Sequence, residues 1–440
     1  MREPSTVLQQ TLWVIVTIRC DLPNAATSPK EASFGKTEFS RSVISSQTSK
    51  HEVQTSSAAP QTAFELLLAC CRSETGAKQS LHKQFAPPAP QWEALMRLAE
   101  QHDLIPLLYR NVSTFPDLVS SAVLEALRLS YQRNAQKNLR LTHELIRIVD
   151  CLQSQGVAAL PYKGPVLAQA IYDDIGMRQF SDLDILIRPC DVPRAKAAIA
   201  QLGYTPSTRM TEAEEQAYLR SGYELGFDGP FGRNLLELQW RILPRFYCVD
   251  LSVESLFERA SEIAVGGRIV KTLSPEDLVL VLCIHAAKHA WARLSFLVDI
   301  AGAARSQNIN YELLEKRARR LRIERILGVN FWLLHELLAM PLPMILASYI
   351  RGDRSIEVLA RKIQCRLSDY SEYDTGLSDY FRLMLALRER SWDKLRFLAR
   401  LALTPGRSEW ATVRLPRPLF PMYPTIRLYR LAGKLFRRLL

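Results

Sequence analysis

Apolar positions along the first half of the chain recur every three or four residues. Leu124, Leu127 and Tyr131, then Leu141, Leu145, Ile148 and Val149, form the stripe of a helix buried along one side. After residue 155 the period shortens. Val157 to Tyr162 predicts a buried strand, Pro165 to Tyr172 a short helix with proline in its first turn, and Asp173-Asp174-Ile175-Gly176 a turn. Ser181 to Ile187 predicts a second strand, and Asp191 is placed to cap a helix from Val192 to Leu202. Tyr223 to Phe227 and Leu235 to Trp240 flank Gly229-Pro230-Phe231-Gly232 and predict a hairpin. Beyond Thr272 strand patterning ends. Ser274, with Pro275 and Asp277, predicts a capped helix start, and the pattern from Leu278 through Leu338 is helical throughout.

These elements predict an α+β protein: a small mixed sheet with helices on one side, flanked by helical N- and C-terminal subdomains. The boundaries expected are a disordered tail over 1–60, a helical subdomain over 61–155, the sheet-bearing core over 156–272, and a second helical subdomain with a basic tail over 273–440. The tail is rich in Ser, Thr, Ala and Gln without sustained periodicity. Its apolar run from Leu12 to Ile18 is too short to span a bilayer, a secretory leader is the disfavoured reading, and a non-native upstream start would also explain the tail.

The chemistry concentrates in the second predicted strand. Side chains two apart on a strand share a face, so Asp182 and Asp184 project together while Leu183, Ile185 and Ile187 point into a core. Neighbouring carboxylates repel, and a bound cation is the usual reason to keep them together. Glu237 is the best third ligand. Its strand places Leu235, Glu237 and Gln239 on one face, and an antiparallel neighbour relation would bring that face beside the two aspartates. Lys163 and Gly164 end the first strand and open a helix, where unpaired N–H groups favour phosphate, and Arg178 supplies a second cation. The plain alternatives are a solvated edge strand carrying a chance Asp-x-Asp, an exposed Glu237, and ordinary surface charges at Lys163 and Arg178.

Lys163-Gly164, Arg178 and Ser181-Asp182-Leu183-Asp184, taken together, resemble the uncharacterised nucleotidyltransferase family of the polymerase-beta-like superfamily. The likeness extends to Trp92-Glu93-Ala94-Leu95, to Leu236-Glu237-Leu238-Gln239-Trp240, and to Ser274-Pro275-Glu276-Asp277 running into His285 and His289, and it covers roughly residues 60 to 440. The resemblance implies a nucleotidyltransferase core that moves a nucleoside monophosphate from an NTP to a hydroxyl. Magnesium, two ions, would be held by Asp182, Asp184 and Glu237, with Lys163, Gly164 and Arg178 on the triphosphate. The acceptor stays open among protein, RNA and small molecules. Two departures stand out: Pro165 replaces the second glycine or serine of the superfamily, and Gln239 stands where a histidine is expected. The rival reading is a nucleotide-binding regulatory or scaffold module with weak or no turnover. His285 and His289, one helical turn apart, are expected to line the cleft beside substrate, or else to be a packed structural pair; zinc is disfavoured for want of further ligands.

Composition narrows the partners. The 440-residue chain is 48% hydrophobic and carries a net charge of +12, which favours an anionic partner without choosing among nucleotide, nucleic acid and lipid. Eight cysteines without paired spacing read as reduced thiols, so a cytoplasmic protein is expected. From Arg388 onward there are thirteen Lys or Arg residues against three acids. Within Thr425 to Leu440, Leu428, Leu431, Leu435 and Leu439 form one stripe, with Arg427, Arg430, Lys434, Arg437 and Arg438 off it. Such a basic helix packs on its own protein or rests on an anionic membrane surface, which would make the protein peripheral to a membrane.

Overall fold

The computed structural model describes residues 59–72, 91–208, 210–230, 232–306, 308–369, 377–404 and 415–430. The expected tail therefore lies almost wholly outside the described residues. Four helices lead the chain: α1 (Ala59–Cys71), α2 (Trp92–Gln101), α3 (Ile105–Val112) and α4 (Ser121–Ser154). Ser120 caps α4 by accepting from the Val123 amide. At 34 residues α4 is about 50 Å long, enough to cross the molecule. Its stripe is buried as the periodicity predicts, with Leu127, Leu141, Leu145, Ile148 and Val149 all inside.

The core follows as β1 (Ala159–Pro161), α5 (Gly164–Tyr172), β2 (Leu183–Ile187), α6 (Val192–Gln201), β3 (Thr205–Pro206), α7 (Glu212–Ser221), β4 (Glu224–Gly229) and β5 (Gly232–Gln239). The strands form one mixed sheet in the order β1-β2-β5-β4-β3. The predicted hairpin is β4–β5, antiparallel with an irregularity between Phe227 and Gly229. β2 and β5 run parallel, with Asp184 opposite Glu237, which corrects the antiparallel relation expected for them. Side-chain alternation is the same in both orientations, so the pattern could not distinguish them. Helix α8 (Val253–Glu258) and the separate two-stranded sheet of β6 (Ser261–Val265) and β7 (Arg268–Thr272) close the core.

The remaining chain is helical: α9 (Pro275–Lys288), α10 (Leu294–Ser306), α11 (Tyr311–Leu321), α12 (Glu324–Leu338), α13 (Met344–Gly352), α14 (Arg354–Ser368), α15 (Leu377–Ala386) and α16 (Ser391–Leu403). Two expected caps act otherwise. Asp191 has helical backbone angles and turns its carboxylate to Arg194, while the Ser274 hydroxyl donates to Asp277 at 2.9 Å. No helix among the described residues is long and apolar enough to cross a membrane.

The sheet has two unlike faces. Leu183, Ile185, Ile187, Leu236 and Leu238 join one core with α6 and the C-terminal half of α4. On the other face Leu160, Tyr162 and Leu186 join a second core that also holds residues of α1 to α3 and of α9 to α16, so the two helical regions flanking the sheet pack as one body. At the C-terminal end Tyr423 is fully buried, and the buried Arg427 donates from Nε to the Leu401 carbonyl at 3.0 Å. Leu428 and Tyr429 are exposed, so over these residues burial falls on Arg427 rather than on the leucine stripe; Leu431, Lys434, Leu435, Arg437, Arg438 and Leu439 lie outside the described residues.

Candidate active site

A cavity of about 390 Å³ lies between the second sheet face and helices α9 and α10. Its walls bring together every residue singled out in the sequence except Gly164: Lys163, Arg178, Asp182, Asp184, Glu237, His285 and His289. Strand register explains the convergence. Asp184 on β2 faces Glu237 on β5, Glu237 faces Gly226 on β4, and Gln239 faces Glu224. Gly226 adds no side chain beside Glu237, which leaves the carboxylate row open to the cavity.

The pair of aspartates is less symmetric than the motif suggests. Asp182 precedes β2 and is partly exposed, whereas Asp184 lies within it and is buried. Asp184 Oδ1 accepts from Lys163 Nζ at 3.4 Å and from Gln239 Nε2 at 2.9 Å. The same Gln239 nitrogen donates to Glu237 at 3.1 Å, and Gln239 Oε1 accepts from the Tyr162 hydroxyl at 2.6 Å. The residue that departs from the expected histidine thus links two of the carboxylates and fixes a buried tyrosine.

Crowded acids in a poorly solvated place resist ionisation. Burial, then Asp184, raises the Asp182 carboxyl, against the pull of Lys163 and Arg178. Glu237 is pushed up to about 8, first by burial and then by Glu224, Asp184 and Asp182. Glu224 is the acid that sequence reasoning missed. Its signal was present in the hairpin, because pairing across Gly229-Pro230 returns it to the face of Glu237 and Gln239.

The cations are held too. Gly164 opens α5 at a φ of +54°, and a Cβ there would sit 3.3 Å from the Asp182 carbonyl oxygen. The glycine therefore serves the approach of α5 to the aspartate segment, whatever it offers to phosphate. Arg178 forms a forked ion pair with Asp299 of α10, Nε to both carboxylate oxygens at 3.1 Å and Nη2 to Oδ2 at 3.0 Å. Its loop is clamped from α4. Asn138 donates to the Ile175 and Arg178 carbonyls at 2.6 and 2.7 Å, and Asn134 donates to the Gly176 and Arg178 carbonyls at 2.8 and 3.0 Å.

His285 and His289 stand with ring centroids 4.5 Å apart, both against Phe296. Burial above all, with Lys163 and His289 beside His285 and Lys288 beside His289, holds both well below the ordinary imidazole range. They form a neutral, hydrogen-bond-capable wall opposite the carboxylates.

Asp182, Asp184, Glu224 and Glu237 stand together in one cavity, two of them raised by burial and then by one another, and are a donor set suited to a hard divalent cation. Among the described residues, however, no three acidic, histidine or cysteine side chains gather around one point, and Lys163 and Gln239 both bond to one oxygen of Asp184.

The model of a known family, described as an uncharacterised nucleotidyltransferase, matches residues 88–339, a span from α2 to just past α12 that contains the whole cavity wall. No curated protein and no solved structure matches the chain.

Proposed function

Because the chain belongs to the uncharacterised nucleotidyltransferase family, we propose that it transfers a nucleoside monophosphate from a magnesium-bound NTP to a hydroxyl of an acceptor molecule. The observation that carries this reading is the parallel register of Asp184 and Glu237, which sets a third carboxylate beside the Asp182–Asp184 pair in one cavity.

Asp182, Asp184 and Glu237 would hold magnesium, with room in the proposal for two ions. When bound, the metal neutralises the triphosphate and makes the acceptor hydroxyl more acidic. Lys163, drawn from Asp184, turns to the phosphates. Gly164 lets the start of α5 come close to them, and Arg178, fixed by Asp299, contributes charge from the cavity wall. His285 and His289, neutral and partly shielded from water, line the opposite side and orient the substrate by hydrogen bonding. The acceptor oxygen bonds to the α-phosphorus, the bond to the bridging oxygen breaks, pyrophosphate departs, and Glu237 in its ionised form takes the acceptor proton.

Calorimetry with each NTP tests the reading. Binding is expected to require magnesium and to be lost in Asp182→Asn/Asp184→Asn; undiminished binding by the double variant would remove the metal site. Labelled ATP, GTP, CTP and UTP with cell extract would then reveal the acceptor.

A second reading is a module that binds nucleotide without turning it over. Two observations favour it: Pro165 brings no N–H to the first turn of α5, and Arg178 is already committed to Asp299. Magnesium-dependent NTP binding without any pyrophosphate release, across the full set of nucleotides and extracts, would select it.

A further inference from the structure

Among the described residues, six carboxylates and four Lys or Arg side chains line the cavity, and three of these four cations are already held. Lys163 bonds to Asp184, Arg178 is forked onto Asp299, and Arg293 pairs with Asp103. The fourth is Lys288, the last residue of α9, which makes no ion pair among the described residues. Its Nζ lies 4.9 Å from the centroid of the Tyr223 ring and 3.4 Å from the Tyr223 hydroxyl. An aromatic face and one neutral oxygen thus stand where a carboxylate would be expected.

The end of α9 is firmly placed. Tyr380 of α15 donates from its hydroxyl to the Lys288 carbonyl at 2.9 Å. Ala290 and Trp291 follow with left-handed φ angles of +51° and +52°, which residues with a side chain keep only where their surroundings fix them. Trp291 supplies that constraint: it is fully buried, its amide donates to the Ala286 carbonyl at 2.8 Å, and its Nε1 donates to Asn330 Oδ1 at 2.8 Å. The chain therefore turns sharply after Lys288, and Ala292 and Arg293 return to the same cavity wall. The carbonyl end of α9 and the Tyr223 ring both favour a cation at Lys288, yet neither neutralises it.

Resting on the nucleotidyltransferase reading, we propose that Lys288 binds the outer phosphates of the NTP, the pair that leaves as pyrophosphate. Sheet order gives the direction. Lys163 follows β1 and touches Asp184 of β2, whereas Lys288 touches Tyr223 at the entry to β4, so the two lysines bracket the row of acids that runs from β2 through β5. Asp182 and Asp184 belong to the β2 end, where the reacting phosphorus sits, and the rest of the triphosphate extends toward Lys288. With acids outnumbering bases, the cavity repels bare phosphate, and magnesium on the carboxylates reverses that sign. A lysine left without a carboxylate is then the counter-charge for the end of the polyanion farther from the metal.

Calorimetry on the full chain, with each NTP and the matching NDP in magnesium, tests the assignment. The parent is expected to bind at least one NTP more tightly than its NDP. Lys288→Met should weaken that NTP roughly tenfold or more and bring it close to the NDP, with a smaller loss in Lys288→Arg, which keeps the charge. A thermal melt beside each titration reports on folding, and should Lys288→Met melt early, Lys288→Gln carries the comparison. A parallel loss of NTP and NDP would overturn the proposal and give the lysine a structural role. NTP binding that is lost in Asp182→Asn/Asp184→Asn but indifferent to Lys288→Met would leave the nucleotidyltransferase reading standing and remove Lys288 from it. Inorganic tripolyphosphate that binds without magnesium, unaffected by the double variant but lost in Lys288→Met, would remove that reading and leave a polyphosphate site at Lys288. A parent that binds neither NTP nor tripolyphosphate would remove both.

Discussion

Glu237 shows most directly how one residue reports on its surroundings. Its carboxyl is raised from the ordinary 4.5 to about 8, so between those values the folded protein keeps a proton that the unfolded chain has released. Folding stability should therefore fall as pH rises through that window and level off above it. In Glu237→Gln the fall should flatten, and at pH 8.5 without divalent metal the variant should exceed the parent by about 2 kcal/mol, the full shift being trimmed by the residue's partial exposure. Urea unfolding at pH 5, 7 and 8.5 in chelator measures this; a variant no more stable than the parent at pH 8.5 would mean that the four acids do not crowd as described. Gly164 makes a second residue-scale case. Gly164→Ala should cost on the order of 1 kcal/mol of stability for the left-handed backbone alone. Because the new methyl meets the Asp182 carbonyl, magnesium-NTP affinity should drop by more than that stability loss, and calorimetry beside denaturation separates the two.

Between elements, the decisive contact is the one from α4 to the loop before β2. Asn138 satisfies two carbonyls of that loop and is fully buried. Asn138→Ala should therefore destabilise by about 2 kcal/mol through unsatisfied acceptors, and urea unfolding would record it; a loss below about 0.5 kcal/mol would show that water replaces the amide. This clamp was illegible in the sequence, because an asparagine on a long helix looks like any solvated polar position until the loop is docked on it. The helix stripe from Leu124 to Val149, the β4–β5 hairpin and the shared face of Asp182 and Asp184 were legible, since each rests on local period or turn chemistry. The parallel pairing of β2 with β5 was not, nor was the ion pair of Arg178 with Asp299, because both join segments distant along the chain. Gln239 was visible as a departure, but its bridging of Asp184 and Glu237 depended on that pairing.

At the scale of the molecule, the C-terminal segment is bound to the body through Tyr423 and Arg427. Deleting Thr425 to Leu440 should lower the melting temperature by several degrees, since it removes the buried Arg427 and leaves the Leu401 carbonyl without its guanidinium. Contact with an anionic membrane is the competing role proposed for the same residues. Vesicle co-sedimentation that is lost on deletion, with an unchanged melt, would favour the membrane, each basic residue near such a surface contributing about 1 kcal/mol. A lowered melt with no sedimentation of the parent would leave a structural segment.

The cavity also has a history along the chain. Asp103 lies on its rim and is ion-paired with Arg293, the neighbouring His102 accepts from the Leu294 amide at 3.1 Å, and Arg178 waits for Asp299. During synthesis the carboxylate strands emerge well before α10, so a nascent chain stopped short of residue 299 carries its acids and its arginine open to water with neither rim nor lid. Only after α10 has left the ribosome does Arg178 find Asp299 and does Phe296 come to lie against the histidine pair. Under the proposed nucleotidyltransferase function, nucleotide binding would then be expected only once translation has passed the last wall of the site.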